Sequence, residues 1–185
     1  MDITRLIEDD HAEQRRLFAL LEEIPGSKRD ALHAIWNRLR ALLDSHAEAE
    51  ERLFYPSLLA IGTGAGDSPD AKAETRDAIK DHNEIRDAAA AADRLTVGSR
   101  EWRDAVAAAN KANSDHMAEE ERQGLADFRQ HAALQLRHEL GIRFAAFEAS
   151  HLQGVRPVDK DPDEYVREMS DNVGGGAMRA EAEAH

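Results

Sequence analysis

Ser45-His46-Ala47-Glu48-Ala49-Glu50-Glu51-Arg52-Leu53-Phe54-Tyr55-Pro56 carries a His-x-x-x-Glu step, His46 to Glu50. A helix turns about 100° per residue, so position i+4 returns to within about 40° of position i, about 6 Å further along the axis. One helix can therefore aim an imidazole and a carboxylate at the same interior point. The step recurs at His116 and Glu120. Four of the histidines that follow an Asp or a Ser recur at near-constant intervals: Asp10-His11, Ser45-His46, Asp81-His82 and Asp115-His116. They stand 35, 36 and 34 residues apart, a period of one helix plus one turn.

The chain around these pairs reads as helix. Alanine, leucine, glutamate and arginine dominate and β-branched runs are missing, which is an all-α composition. A first helix is expected from the N-cap Asp2 to Glu23, stopped by Pro25-Gly26. A second runs from Lys28 to Ala60 behind a Ser27 cap, bent at Pro56, whose ring crowds the carbonyl of Arg52. After the glycine-rich stretch 62–68, Ser68-Pro69 opens a third helix to Arg94, and Arg100 to Gln123 forms the fourth. Short turns between them predict an antiparallel up-down-up-down four-helix bundle over residues 1–124. An additional C-terminal helix is expected over 125–152, then a polar, partly disordered tail over 153–185. Each histidine lies a similar distance from its turns, so all four reach one level to within about 10 Å.

Four imidazoles with Glu50 and Glu120 make a donor set for iron, manganese or zinc. Calcium and magnesium prefer all-oxygen shells. The absence of cysteine removes thiolate sites and disulfides. His11 and His46 are expected on one metal, His82 and His116 on a second, with Glu50 and Glu120 bridging. Burying two carboxylates without a cation would cost several kcal/mol each. A ferritin-type site needs Glu-x-x-His on two helices, and Glu8-x-x-His11 is the only such step at the four histidines. His33, His131, His138 and His151 read as surface or packing residues, and His185 as a chain end. Asp10, Asp81 and Asp115 could accept a second ring N–H only from a histidine of a neighbouring helix. The net charge of −13 argues against nucleic acid or an anionic membrane as partner. With no apolar run of about 18 residues and no secretory signal at Met1-Asp2-Ile3-Thr4-Arg5, a cytoplasmic protein is expected.

The set His11, His46, Glu50, His82, His116 and Glu120, with the stretch from Glu50 to Pro56, resembles the hemerythrin-like family, or HHE cation-binding domain, over about residues 2–124. The resemblance implies a four-helix bundle around two iron ions, with two carboxylate bridges and a bridging oxo or hydroxo species; manganese or zinc is a lesser alternative. It implies a small ligand such as dioxygen, hydrogen peroxide or nitric oxide. Relatives carry dioxygen, sense oxygen or iron, or react with peroxide or nitric oxide. Those that carry dioxygen use a fifth histidine, four residues from the one on the third helix. Here the positions four before and four after His82 are Ala78 and Arg86. Tyr55 is the candidate to act there, as a ligand or proton donor, although such a residue more commonly keeps its hydroxyl in water. Glu51, Glu119 and Glu121 are adjacent carboxylates that could serve as further ligands or support the ligands from behind, but they lie about 100° off the motif face and are expected to be mostly exposed. Peroxide-scavenging, catalase-like chemistry is the expected activity. The alternatives are an oxygen, nitric oxide or iron sensor without turnover, and a purely structural metal.

Overall fold

The computed structural model describes residues 1–183, with side chains through Asn172. The bundle consists of α1 Ile3–Glu23, α2 Arg29–Ala49, a π-helical turn Glu50–Phe54, α3 Tyr55–Ile61, α4 Ala71–Asp93 and α5 Arg100–Arg122. Helix α1 packs against α2 and α5, and α4 against α5 and α2. Three further helices follow, α6 Gly124–His131, α7 Leu134–Ser150 and α8 Pro162–Glu183. Among the described residues there is no strand, and no helix is long and apolar enough to cross a membrane.

The helix boundaries follow local hydrogen-bond chemistry. Asp2 caps α1 by accepting from the Thr4 amide at 3.0 Å, and Ser99 caps α5 by accepting from the Trp102 amide. The expected Ser27 cap is not made: Lys28 is the N-cap of α2, without a side-chain bond. Ser68-Pro69 is likewise displaced, because the Asp70 carboxylate accepts from the Ala73 amide at 2.8 Å and α4 starts at Ala71. An ionised acceptor two residues further on outcompetes the serine hydroxyl.

The bend expected at Pro56 takes a specific form. The Tyr55 amide donates to the Glu50 carbonyl, five residues back, closing one wide turn. In an unbroken α-helix Tyr55 would lie about 140° around the axis from Glu50. The wide turn absorbs about one residue and brings Tyr55 back towards the face of Glu50. Pro56 motivates it, since a regular turn would press its ring on the Arg52 carbonyl.

Two apolar clusters fill the bundle. Leu17, Phe18, Leu21, Leu32, Trp36, Leu39, Ile85, Trp102 and Val106 form one. Ile3, Ile7, Phe54, Leu58, Ile79, Leu125, Phe128 and Phe144 belong to the other. Along α1, α2 and α4 the motif histidine falls between residues of the two, and His116 lies between Val106 and Ala109 of one and Leu125, just past α5, of the other, so the histidines form a polar layer between two greasy ones.

The C-terminal third departs from expectation. The single helix expected over 125–152 is two, because Ala132 takes an extended conformation (φ −80°, ψ 128°). No glycine or proline marks this break. It lets α7 fold back along α1 and α2, a case of tertiary packing overriding propensity. The tail expected to be partly disordered instead carries α8, which packs on α3 and α4 and buries Tyr165 and Val166. Gly174-Gly175-Gly176 lie within its span, and residues 184 and 185, with the chain end His185, lie outside the described residues.

Candidate metal centre

His11 on α1, His46 on α2, His82 on α4 and His116 on α5 converge, all buried. The ring centroids of His11 and His46 are 5.1 Å apart, and those of His82 and His116 4.7 Å. Glu50 stands between the pairs. One of its oxygens lies 3.1 Å from His46 Nε2 and the other 3.2 Å from His82 Nε2. Two metal-competent groups result, His11–His46–Glu50 and Glu50–His82–His116, sharing that carboxylate. Glu120 also faces the interior, with Oε2 3.4 Å from His11 Nε2. Its Oε1 accepts a 2.7 Å hydrogen bond from the hydroxyl of Tyr55. Tyr55 is 1% exposed, so its phenol is turned inside the protein and not held in water, the commoner alternative for such a residue.

Every imidazole is backed by a carboxylate on its other nitrogen. His46 Nδ1 lies 2.9 Å from Asp10, His82 Nδ1 2.8 Å from Glu51, His11 Nδ1 2.9 Å from Glu121 and His116 Nδ1 3.5 Å from Asp81. A carboxylate only accepts, so Nδ1 of His11, His46 and His82 carries the proton and their Nε2 turns a lone pair inward when the ring is neutral, while Asp81 stands beside His116 Nδ1 without a hydrogen bond. Asp10 and Asp81 thus serve a neighbouring helix's histidine. Asp115 points outward to Lys111. Glu51 and Glu121, expected to be exposed, take the other two positions, while Glu119 is exposed. The signal for them was in the sequence. His-x-x-x-Glu-Glu-Arg occurs at His46–Arg52 and at His116–Arg122, and Asp-His-x-Glu-x-Arg at Asp10–Arg15 and at Asp81–Arg86. The second glutamate of each doublet meets the arginine of the other half, Glu51 with Arg86 at 2.6 Å and Glu121 with Arg15 at 2.7 Å. The site therefore has an approximate twofold arrangement. Arg86 holds Glu51 and supplies no ligand, and Ala78 is a small, buried wall.

The donor atoms that face inward fit a cation. His11 Nε2, His46 Nε2, both oxygens of Glu50 and Oε2 of Glu120 are buried without a hydrogen-bond partner. Native interiors rarely leave such groups unpaired, and nitrogen and carboxylate donors around shared points are what a divalent transition metal takes. Burial works against an imidazolium at His82, but Glu50 and Glu51 outweigh it and carry its pKa up to about 9. His46 is raised in the same way by Glu50 and Asp10 against its burial. Burial pushes Glu50 up, yet His46 and His82 hold it well below the usual carboxylate range.

Opposite pH trends are expected from these shifts. In chelator-treated protein the His82 imidazolium, raised from 6.5 to about 9, contributes stability that is complete below pH 6.5 and lost as pH rises through 9. Metal affinity should instead rise over that interval, because the ring must lose a proton to ligate. Melting temperatures and metal dissociation constants across the interval check both trends. A metal-free melting temperature that climbs with pH would contradict the first.

The remaining histidines sit apart from the centre. His33 and His138 are exposed, His131 meets Asp127 at 2.7 Å, and His151 stacks on Phe147 at 4.1 Å.

A model of the hemerythrin HHE cation binding domain matches residues 2–126. No curated protein matches the chain in a sequence comparison. The crystal structure of a hemerythrin HHE cation binding domain-containing protein from Mycobacterium kansasii superimposes with a TM-score of 0.70 at 22% identity, covering 90% of this chain and 98% of that one. At that identity the likeness speaks for the fold, while the family model spans the four helices that bring the histidines together. The chain belongs to the hemerythrin HHE cation-binding family, as a helical, metal-binding protein.

Proposed function

We propose that the chain holds two iron ions and scavenges hydrogen peroxide in the cytoplasm, converting two peroxides to dioxygen and two waters. His11 and His46 would ligate one iron and His82 and His116 the other, with Glu50 and Glu120 shared between them. A pair of irons supplies the two electrons that breaking an O–O bond requires.

The chain's own groups supply access and a proton. A narrow cleft of about 20 Å³ runs along Tyr55, Ala78, His116 and Glu120, with Asp77, Glu119 and Gln123 at its exposed rim. That volume admits about one water-sized molecule, which favours peroxide or a diatomic gas over larger substrates. Burial, then Glu120 and Glu50, raise the Tyr55 hydroxyl well above the ordinary phenol value. The Tyr55 hydroxyl donates to Glu120 Oε1, which places it as a proton donor beside the centre. The observation that carries the choice of reactivity is the Tyr55 hydroxyl in the wall of the cleft, donating to Glu120 at 2.7 Å.

The test is oxygen evolution from iron-loaded protein mixed with hydrogen peroxide, sustained over many turnovers per chain. A second reading, sensing of dioxygen or nitric oxide without turnover, draws support from α8, whose Tyr165 hydroxyl donates to the backbone carbonyl of Glu51. A reversible spectral change on exposure to gas, with no oxygen evolved from peroxide, would favour that reading.

A further inference from the structure

The approximate twofold arrangement is broken at one place. Glu51 and Glu121 do the same work in the two halves, each accepting from one histidine and one arginine. Their surroundings differ. The side chain of Glu51 is 0% exposed and that of its partner Arg86 7%, whereas Glu121 is 31% and Arg15 43% exposed. The difference comes from the segment between α7 and α8. Lys160 donates its ammonium to Glu51 Oε2 and to Glu48 Oε2. Its backbone is held on both sides by Asn83, whose Nδ2 donates to the Lys160 carbonyl at 2.7 Å and whose Oδ1 accepts from the Lys160 amide at 3.2 Å. Asn83 directly follows His82. The matching positions in the other half are Ala12 for Asn83 and Ala118 for Glu48, and neither has a polar side chain. Only one half can hold such a strap.

We propose that Lys160 is a positioning residue for His82, fixing Glu51 so that the His82–His116 position is preorganised, binds metal more tightly than the His11–His46 position and fills first. The argument rests on the two-metal reading. Glu51 Oε1 already serves both His82 and Arg86, and Oε2 is the atom left to turn if nothing holds it. With Lys160 in place both oxygens are fixed and His82 Nε2 is aimed inward before a cation arrives. Among the described residues Glu121 has no equivalent of Lys160, and with solvent on one side its second oxygen is less firmly held behind His11. Partners in the layer behind a ligand tune metal affinity by about 10–100-fold.

Anaerobic titration of the full chain with cobalt(II), followed by its visible absorption, tests this. Wild-type protein is expected to take up two ions in two resolved steps. Lys160→Met should weaken the first step by about tenfold and alter its absorption band, leaving the second step in place. Lys160→Arg should restore the first step, and Arg15→Met should move only the second. Asn83→Ala, which releases the strap without changing charge, should act like Lys160→Met and carries the test if that variant folds poorly. A merely structural strap would lower the melting temperature and leave both cobalt constants unchanged. Two ions bound by Lys160→Met with wild-type constants and spectrum would overturn the proposal alone. Wild-type protein that binds fewer than two ions would overturn the two-metal reading and the proposal with it.

Discussion

Glu50→Ala is expected to fall from two bound metal ions per chain to fewer than one. Glu50 is the carboxylate common to both candidate groups, with one oxygen toward His46 and one toward His82. Its loss removes a ligand from each position at once and leaves Glu120 as the one proposed shared carboxylate. Glu120 cannot take over without releasing the Tyr55 hydroxyl from its Oε1. The metal-free variant should also be less stable. Removing one side of a buried ion pair costs about 3–5 kcal/mol, and the lower end applies because His46 and His82 can shed their protons. Elemental analysis beside thermal unfolding reads both effects. A folded Glu50→Ala chain that retains two ions would refute the shared-ligand assignment.

Tyr55→Phe should keep both metals and lose most peroxide turnover, by a factor of about 10²–10⁴, the usual contribution of a positioned proton donor. The substitution removes one oxygen from a packed ring. The ring itself, in contact with Phe54 and tilted against His82 at 5.8 Å, retains its place. What disappears is the proton held beside Glu120. Initial rates of oxygen evolution, normalised to iron content, provide the measurement. Wild-type rates in the variant would remove Tyr55 from the mechanism and leave the metal assignment standing.

The convergence of the four histidines with Glu50 and Glu120 was legible because its spacing is a local property. His46 and Glu50, or His116 and Glu120, share a face by the geometry of one helix alone. The period of the Asp-His and Ser-His pairs then brings four faces to one level. The inward turn of Tyr55 was half legible: Pro56 signals a disturbance, but the disturbance could have rotated the ring either way. Glu51 and Glu121 were misjudged for a different reason. Their own helix does point them aside, and what buries them is the histidine and arginine of the opposite half, a relation between positions 31 to 110 residues apart. The break at Ala132 and the docking of α8 through Tyr165 carry no local mark of their own. They follow from surfaces that exist only once the bundle has formed.

The strap at Lys160 also sets a schedule. The last ring nitrogen and carboxylate of the centre, on His116 and Glu120, leave the ribosome about 40 residues before Lys160. At synthesis rates of roughly 5–20 residues per second, that gap lasts about 2–8 s. During it the nascent chain can close its ring of ligands while Glu51 still lacks its lysine. A newly made molecule thus passes through an interval in which Glu51, like Glu121, has no lysine to hold it.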